Sequence, residues 1–216
     1  MKISNILNIV LAIALIILTF KVVNNKNNEQ EPEQTTVEKE QQTKEWHQVN
    51  IDSVEINPFT LFQNAAALTV GRQGAVNSMT IGWGTLGILW GHDSHVATVY
   101  VRKSRFTHHL MEENNTFTIE GFSSEYDNQL KYLGTASGRD EDKIKGSSLT
   151  LKTMPSGTFA FEEGNIIIEC RKLFSTDYTL QQMDSTVVNK WYIKGDDFDN
   201  IHTAYVGEIT AVWVKE

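Results

Sequence analysis

The sequence has one cysteine, three prolines and fewer basic than acidic residues. A single cysteine cannot form an internal disulfide, and Cys170 lies in the apolar run IIIECRKLF, so we expect a buried strand residue rather than a reactive thiol. The 19 basic and 27 acidic residues give a net charge of −8. This charge disfavours nucleic acid as a partner, because phosphate backbones bind clustered Lys and Arg. Any anion site must therefore be local.

Several motifs of nucleotide-binding and hydrolytic enzymes are also missing. The sequence contains no P-loop, no G-x-G-x-x-G opening a helix after a strand, and no G-x-S-x-G elbow. We therefore expect no nicotinamide-binding Rossmann domain. His92, Asp93 and His95 are residue types that bind metals, but they fall in a predicted hairpin loop without a clear further ligand. We therefore expect no metal site.

The amino-terminal residues, 1–23, are predicted to form a signal or membrane anchor. An almost unbroken apolar run extends from Ile6 to Phe20, with Lys2 before it and Lys21 near its end. No convincing small-residue cleavage site follows, which favours an uncleaved anchor; an exported soluble form after cleavage is the alternative. The few positive charges after the run favour an extracytoplasmic domain, although the balanced flanking lysines leave the orientation open.

A polar segment separates this run from the rest of the chain. Residues 24–45 are rich in Asn, Gln, Glu and Lys and contain no aromatic residue. Such a segment cannot bury enough apolar surface to offset its chain entropy, so we expect a disordered polar tether. Aromatic and β-branched residues resume at Trp46. We expect one folded domain over 46–216.

From 46 onward the hydrophobic pattern is mostly that of strands. Alternating or wholly apolar segments predict strands in HVATVYVR, NTFTIEGF, LTLKTM, GTFAFEE, NIIIECRKLFSTDYTL and HTAYVGEITAVWVK, and two strands around an RQG turn in AALTVGRQGAVNSMTIGWGTLGILW. Short helices are predicted in SRFTHHLMEEN and YDNQLKYLGTASG. Many strands, a few small helices and no regular βαβ alternation predict a mainly β fold: a barrel with short peripheral helices.

A polar turn enters an aromatic, glycine-rich strand in NSMTIGW, at 77–83. Asn77 and Thr80 offer hydrogen-bond donors and acceptors that suit the polar edge of a flat aromatic ring. In isolation, these residue types are more typical of an ordinary turn and a core aromatic. The candidate ring-binding residues are Asn77, Ser78, Met79, Thr80 and Trp83.

The segment YVRKSRFTHHLMEEN, at 100–114, adds a candidate phosphate site. Ser104 is a plausible N-cap for the following helix, so free amides and the positive end of the helix dipole would lie beside two arginines. Guanidinium groups form bidentate bonds with phosphate. The alternative is strand-end arginines on a solvated face. The candidate phosphate ligands are Arg102, Ser104, Arg105 and Thr107.

A third polar element is SGRDEDK, at 137–143. Ser137, Gly138 and Arg139 can form a tight loop rich in donors, and Lys143 could direct a charge at a phosphate or at the electron-rich edge of a bound ring. As a bare pattern, the segment is more typical of a solvated helix start, with its acidic residues in the first turn.

Together these elements resemble the flavin reductase-like family, which has the FMN-binding split-barrel fold, close to its flavoredoxin branch. The resemblance is carried, in the family's order, by NSMTIGWGTLGILW, VYVRKSRFTHHLMEEN, LGTASGRDEDK, FEE at 161–163, ECRKLF at 169–174 and HTAYVGEI at 202–209. It implies that the Asn-x-Met-Thr turn lies along the isoalloxazine, with Trp83 near the ring. It also implies that His202 touches the flavin or the partner subunit. Lys103 stands where many relatives have proline.

The resemblance further implies a homodimer that binds FMN non-covalently at the subunit interface. We expect an FMN-dependent oxidoreductase that passes electrons from NAD(P)H, or from a redox partner, to a small-molecule or protein acceptor. Without a Rossmann domain, NAD(P)H would stack transiently on the exposed flavin. The alternative is an electron-transfer protein without NAD(P)H reductase activity. A weaker third reading is a barrel that has lost its flavin. A membrane quinol or an exported redox protein would suit a domain outside the cytoplasm.

Overall fold

The computed structural model describes residues 45–193 and 200–215. The predicted anchor at 1–23 and the predicted tether, apart from Glu45, lie outside these described residues. Within the described ranges, no helix is long and apolar enough to cross a membrane.

The described residues form ten strands and five α-helices, which confirms the predicted mainly β fold. The strands are β1 (Trp46–Val49), β2 (Ala66–Arg72), β3 (Ala75–Ile81), β4 (Gly84–Ile88), β5 (His95–Arg102), β6 (Thr116–Gly121), β7 (Leu151–Thr153), β8 (Phe159–Phe161), β9 (Ile166–Asp177) and β10 (His202–Lys215). The helices are α1 (Pro58–Gln63), α2 (Phe106–Glu113), α3 (Asp127–Thr135), α4 (Lys143–Gly146) and α5 (Ser185–Trp191), with single 3-10 turns at Ile51–Ser53, Ser124–Tyr126 and Leu180–Gln182.

The main sheet has eight antiparallel strands in the order β3-β2-β6-β9-β10-β5-β4, and β1 also pairs with β10. The strands β3 and β4 lie at opposite ends of this order, yet only Gly82 and Trp83 separate them in the chain. Three Cα steps span at most about 11 Å, so the two edges of the sheet must come close together. The sheet is therefore curled into a barrel that is split between β3 and β4.

This link corrects one prediction. The segment from Ala66 to Trp90 was expected to form two strands, but it forms three, because the chain leaves β3 after Ile81 and starts β4 at Gly84. A continuous apolar pattern carries no mark of such a crossing, since both strands bury side chains and differ only in the partner with which they pair.

Helix α1 closes the split from one side. Asn57 caps the helix by accepting hydrogen bonds from the amides of Phe59 and Thr60, at 3.0 and 3.3 Å. Its buried Phe62 packs against Gly84, where a Cβ would lie 2.2 Å from the phenylalanine ring. Glycine at the start of β4 therefore lets the aromatic ring fill the gap.

The interior of the barrel is apolar. Its largest fully buried side chains include Leu68, Phe117, Ile119, Ile168 and Tyr205, which come from β2, β6, β9 and β10. Each apolar side chain of this size contributes roughly 1.5–3 kcal/mol when buried. Cys170 lies in β9 and is 1% exposed, which confirms its prediction as a buried strand residue. Burial raises the pKa of its thiol.

The long strand β10 joins both halves of the barrel. It pairs with β9 on one edge and with β5 and β1 on the other. Two register shifts in its pairing with β9, at Val206/Gly207 and Ile209/Ala211, bend the strand and allow the sheet to curve.

A small second sheet, β7-β8, packs beside the barrel. The buried Glu120 of β6 holds it there, because both carboxylate oxygens accept the Phe161 amide, at 3.0 and 3.1 Å. Burial raises the pKa of the Glu120 carboxyl well above its ordinary value of 4.5.

We predict that the stability of Glu120→Gln relative to the wild type increases as the pH rises above 4.5. In that range the folded wild type retains a proton that the unfolded chain has lost, so its free energy of unfolding falls with pH. Glutamine is neutral and keeps an oxygen for the Phe161 amide. Chemical denaturation at pH 4.5 and 7 measures the difference, and the exposed Glu55→Gln serves as the control. Parallel pH profiles for Glu120→Gln and the wild type would contradict this account.

Candidate functional site

Side chains alternate between the two faces of β3, so the predicted ring-binding residues of this strand do not all lie on the same face. Asn77 and Met79 line a small pocket, whereas Ser78 and Thr80 point to the other face of the strand. Asn77 is 4% exposed, and its Nδ2 donates to Thr107 Oγ1 of α2 at 2.8 Å. This bond joins the strand to the start of the helix.

The hydroxyl groups on the other face have partners within the protein. Ser78 is fully buried, and its Oγ accepts a hydrogen bond from Thr69 Oγ1 at 3.0 Å. The Thr80 hydroxyl donates to the Leu130 carbonyl of α3. Both side chains therefore fix the strand against its neighbours.

The start of α2 differs from the sequence prediction. The N-cap is Arg105 rather than Ser104, and its side chain makes no capping hydrogen bond. The Arg105 amide bonds to the Arg102 carbonyl at 2.9 Å, which makes a turn after β5 and shifts the helix start by one residue. The His108 amide of the first turn donates to the Arg105 carbonyl at 3.0 Å, so the amides of Phe106 and Thr107 are the ones that face water or an anion.

The loop before α4 is clamped against this helix start. The Arg139 guanidinium donates to the Ser104 carbonyl at 2.8 Å, and the Arg139 amide donates to Ser137 Oγ at 3.2 Å. Gly138 lies so close to β3 that an added Cβ would be 2.4 Å from Asn77 Oδ1 and 2.6 Å from Phe106 Cδ1. The loop can approach this closely only because the position carries no side chain.

Lys143 is the charged group most deeply placed here. It is the first residue of α4, is 5% exposed, and its Nζ donates to the Leu133 carbonyl at 2.5 Å. Burial, followed by the positive charge of Arg105, lowers the pKa of Lys143 from 10.5 to about 8. An anion beside it would offset both effects.

These elements meet in one cavity of about 70 Å³, which we call the anion pocket. Nine predicted site residues line it: Asn77, Met79, Ser104, Arg105, Thr107, Ser137, Gly138, Arg139 and Lys143. The sequence analysis did not identify Phe106 or residues 133–136 at the end of α3 as part of the site. Phe106 lies in the predicted helix SRFTHHLMEEN but carries no polar group that indicates a site, and the small residues after Leu133 resemble any helix end.

Trp83 and His202 lie apart from this cavity, in a group that we call the aromatic cluster: Trp83, Trp191, Tyr192 and His202. The Trp83 ring lies 4.8 Å from the His202 ring and 5.1 Å from the Trp191 ring, edge to face with the latter. Tyr192 Oη lies 2.8 Å from His202 Nδ1. Sequence reasoning missed Trp191 and Tyr192, because no helix was predicted at 185–191.

His202 is neutral at physiological pH. Burial, with the positive charges of Arg102 and Arg105, lowers its pKa from 6.5 to about 4. A neutral imidazole that is hydrogen-bonded at Nδ1 serves as a fixed polar contact rather than as a charged acid.

The structure does not bring Arg102 to the anion pocket. Its guanidinium donates to the Trp191 and Asn200 carbonyls, at 2.9 and 3.0 Å, and lies over the Tyr192 ring. Arg102 therefore holds α5 and the start of β10 together behind the aromatic cluster.

Of the residues of metal-binding type at 92–95, His95 pairs with a carboxylate from another part of the chain. His95 Nε2 lies 3.0 Å from the Asp52 carboxylate. Over the described ranges, no group of three or more His, Cys, Asp or Glu side chains is placed to hold a metal ion.

Comparison with known proteins identifies the fold. Flavoredoxin from Methanosarcina acetivorans superposes with a TM-score of 0.55 at 21% identity, covering 76% of this chain and 75% of that one. An FMN-binding protein from Thermus thermophilus, solved with bound p-hydroxybenzaldehyde, superposes with a TM-score of 0.53 at 23% identity, covering 70% of this chain and 71% of that one. Flavoredoxin of Desulfovibrio vulgaris (Miyazaki F) superposes with a TM-score of 0.52 at 23% identity, covering 70% of this chain and 69% of that one. At these identities the likeness concerns the fold alone. No curated protein matches the sequence.

The sequence itself matches a family model over most of the folded domain. The model of the flavin reductase like domain matches residues 62–216, from the end of α1 through the last strand. This range contains the anion pocket, the aromatic cluster and the split of the barrel. The chain therefore belongs to the flavin reductase-like domain family.

Proposed function

We propose that this protein is an oxidoreductase that passes electrons through non-covalently bound FMN to an acceptor. The anion pocket carries the proposal, because it joins a buried lysine, two arginines and hydroxyl donors in a cavity suited to a phosphate. A buried cation with a lowered pKa is costly unless an anion accompanies it. The FMN-binding relatives of the same fold support flavin as the ligand.

The residues present fit FMN. Lys143, Arg105 and the first two amides of α2 would hold its phosphate, with Thr107 and Ser137 as hydroxyl partners. The cavity is too small for a three-ring system, so the isoalloxazine would lie outside it. Trp83, which is 37% exposed, and the neutral His202 would bound the ring.

FMN, when bound, supplies the one- and two-electron chemistry. The protein residues bind and orient it. Lys143 and Arg105 neutralise the phosphate, and Arg102 keeps the segment with Trp191 in place beside Trp83. The neutral imidazole of His202 offers a polar contact without adding a charge.

The electron donor is proposed to be NAD(P)H, or a redox protein or quinol. The domain has no Rossmann motif, so a nicotinamide would meet the flavin on an open face.

We also propose a homodimer. Ile88, Trp90 and Phe174 are exposed, with the last two rings 6.4 Å apart, and they form an apolar surface suited to a second copy. Residues 1–23 are proposed to anchor the protein with this domain outside the cytoplasm.

An absorbance experiment tests the function. The purified full-length chain is mixed with FMN, then treated anaerobically with NADH or NADPH. Bound flavin that bleaches supports a reductase. Bound flavin that stays oxidised favours the alternative, an electron carrier reduced only by another partner. A flavin spectrum identical to that of free FMN would contradict both.

We predict that Arg105→Ala weakens FMN binding by about 1.5–3 kcal/mol, the range for a lost charge-assisted hydrogen bond. This corresponds to roughly 10- to 150-fold in Kd. Fluorescence titration of FMN measures the change. Arg72→Ala, which removes an equally charged, exposed side chain outside the pocket, should bind as the wild type does. Equal affinities for Arg105→Ala and Arg72→Ala would remove Arg105 from the phosphate site.

We further predict that FMN binding takes up protons above pH 7 and weakens as the pH rises past 8. Free Lys143 loses its proton near pH 8, and a bound phosphate dianion raises that pKa, so binding must restore the proton at higher pH. Calorimetry at pH 8.5 in two buffers of different ionisation enthalpy measures the uptake, with up to about one proton per FMN expected.

Lys143→Met should abolish this uptake, whereas the neighbouring exposed Lys145→Met should retain it. Uptake that persists in Lys143→Met would assign the proton to another group.

A further inference from the structure

A second cavity, of about 700 Å³, is lined in part by Trp83 and shares no lining residue with the anion pocket. We call it the aromatic pocket. Its walls include five aromatic side chains: Phe59, Phe62, Trp83, Tyr100 and Tyr178. Phe59 projects from α1 and is 82% exposed. A cavity of this size with aromatic walls and few polar groups has the form of a small-molecule site.

A phenol pair supplies polarity in this pocket. The rings of Tyr100 and Tyr178 lie 5.6 Å apart. Burial, and then a hydrogen bond to Tyr100, raise the pKa of Tyr178. The two phenols are hydrogen-bond partners, and each hydroxyl can donate or accept. When Tyr178 donates within the pair, the hydroxyl hydrogen of Tyr100 is available to a ligand carbonyl.

The lining restricts the ligand further. The remaining lining residues are Pro58, Gln63, Gly82, Gly84, Thr85 and Leu86. None of the lining side chains carries a charge at neutral pH. A dinucleotide with its charged diphosphate would find no cation here, whereas an uncharged planar ring would stack on the aromatic walls.

We propose that the aromatic pocket binds a quinone, with its ring against the aromatic walls and one carbonyl accepting the hydrogen of Tyr100. Its role as electron acceptor rests on the proposed function. Reduced FMN would lose two electrons and two protons, and the quinone would gain them, forming two O–H bonds and becoming a hydroquinone. Trp83 borders both the aromatic pocket and the proposed flavin position, which keeps donor and acceptor adjacent.

The test uses duroquinone, whose fully methylated ring resists addition of a thiol. Titration of the full-length chain, followed by tryptophan fluorescence, should give saturable quenching. Durene, the same ring without carbonyls, should bind more weakly. Tyr100→Phe should weaken duroquinone binding by about two- to tenfold, the range for one neutral hydrogen bond, and leave durene unchanged.

Phe59→Ala should weaken both ligands, because it removes a wall of the pocket. Val187→Ala, which shortens an exposed apolar side chain of α5 that does not line the pocket, is the control and should change neither. Non-saturable quenching, or equal effects of Phe59→Ala and Val187→Ala, would overturn the site. So would sedimentation in which Phe59→Ala separates a dimer while duroquinone fails to bind, since the pocket would then be a contact between two copies.

An FMN titration of the same samples separates this proposal from the proposed function. Bound FMN without bound duroquinone overturns the quinone site alone. Bound duroquinone without bound FMN supports the pocket but overturns its role in electron transfer from FMN.

Discussion

The two-residue link between β3 and β4 is the constraint on which the rest of the structure depends. Gly82 and Trp83 connect strands at opposite ends of the sheet order, so the sheet has to curl until its edges nearly meet. Phe62 then fills the split against Gly84. The same short link carries Trp83, which belongs to the aromatic cluster and also lines the aromatic pocket. The short link therefore both closes the barrel and fixes the position of Trp83.

The second feature on which the proposed site depends is its distribution of charge. Within a protein of net charge −8, Lys143 is buried at the start of α4 near Arg105, and its pKa falls to about 8. This local concentration of positive charge is unfavourable for the protein alone and favourable for a bound anion. Across the site, His202 stays neutral and hydrogen-bonded to Tyr192. The proposed function assigns the phosphate of FMN to the anion pocket and its ring to the uncharged aromatic cluster.

The sequence predicted most of the strands and most of the residues that line the anion pocket, because both follow from local pattern: alternation in β5 and β6, and polar motifs around Asn77, Arg105 and Ser137. The sequence did not predict the features that depend on tertiary geometry. Nothing local in the segment from Ala66 to Trp90 indicates that the chain crosses between sheet edges. Ser104 has the chemistry of an N-cap, but the turn after β5 shifts that role to Arg105. Similarly, Arg102 resembles a phosphate ligand in sequence, whereas tertiary contacts commit it to backbone carbonyls.

The central claim is that the anion pocket recognises the phosphate of FMN. Its most direct test compares the affinities of the wild-type protein for FMN and for riboflavin, which has the same ring and ribityl chain without phosphate. The account predicts that FMN binds at least about tenfold more tightly, since losing charge-assisted bonds costs upwards of roughly 1.5 kcal/mol. The difference should narrow as ionic strength rises. Equal affinity for the two flavins would contradict the account.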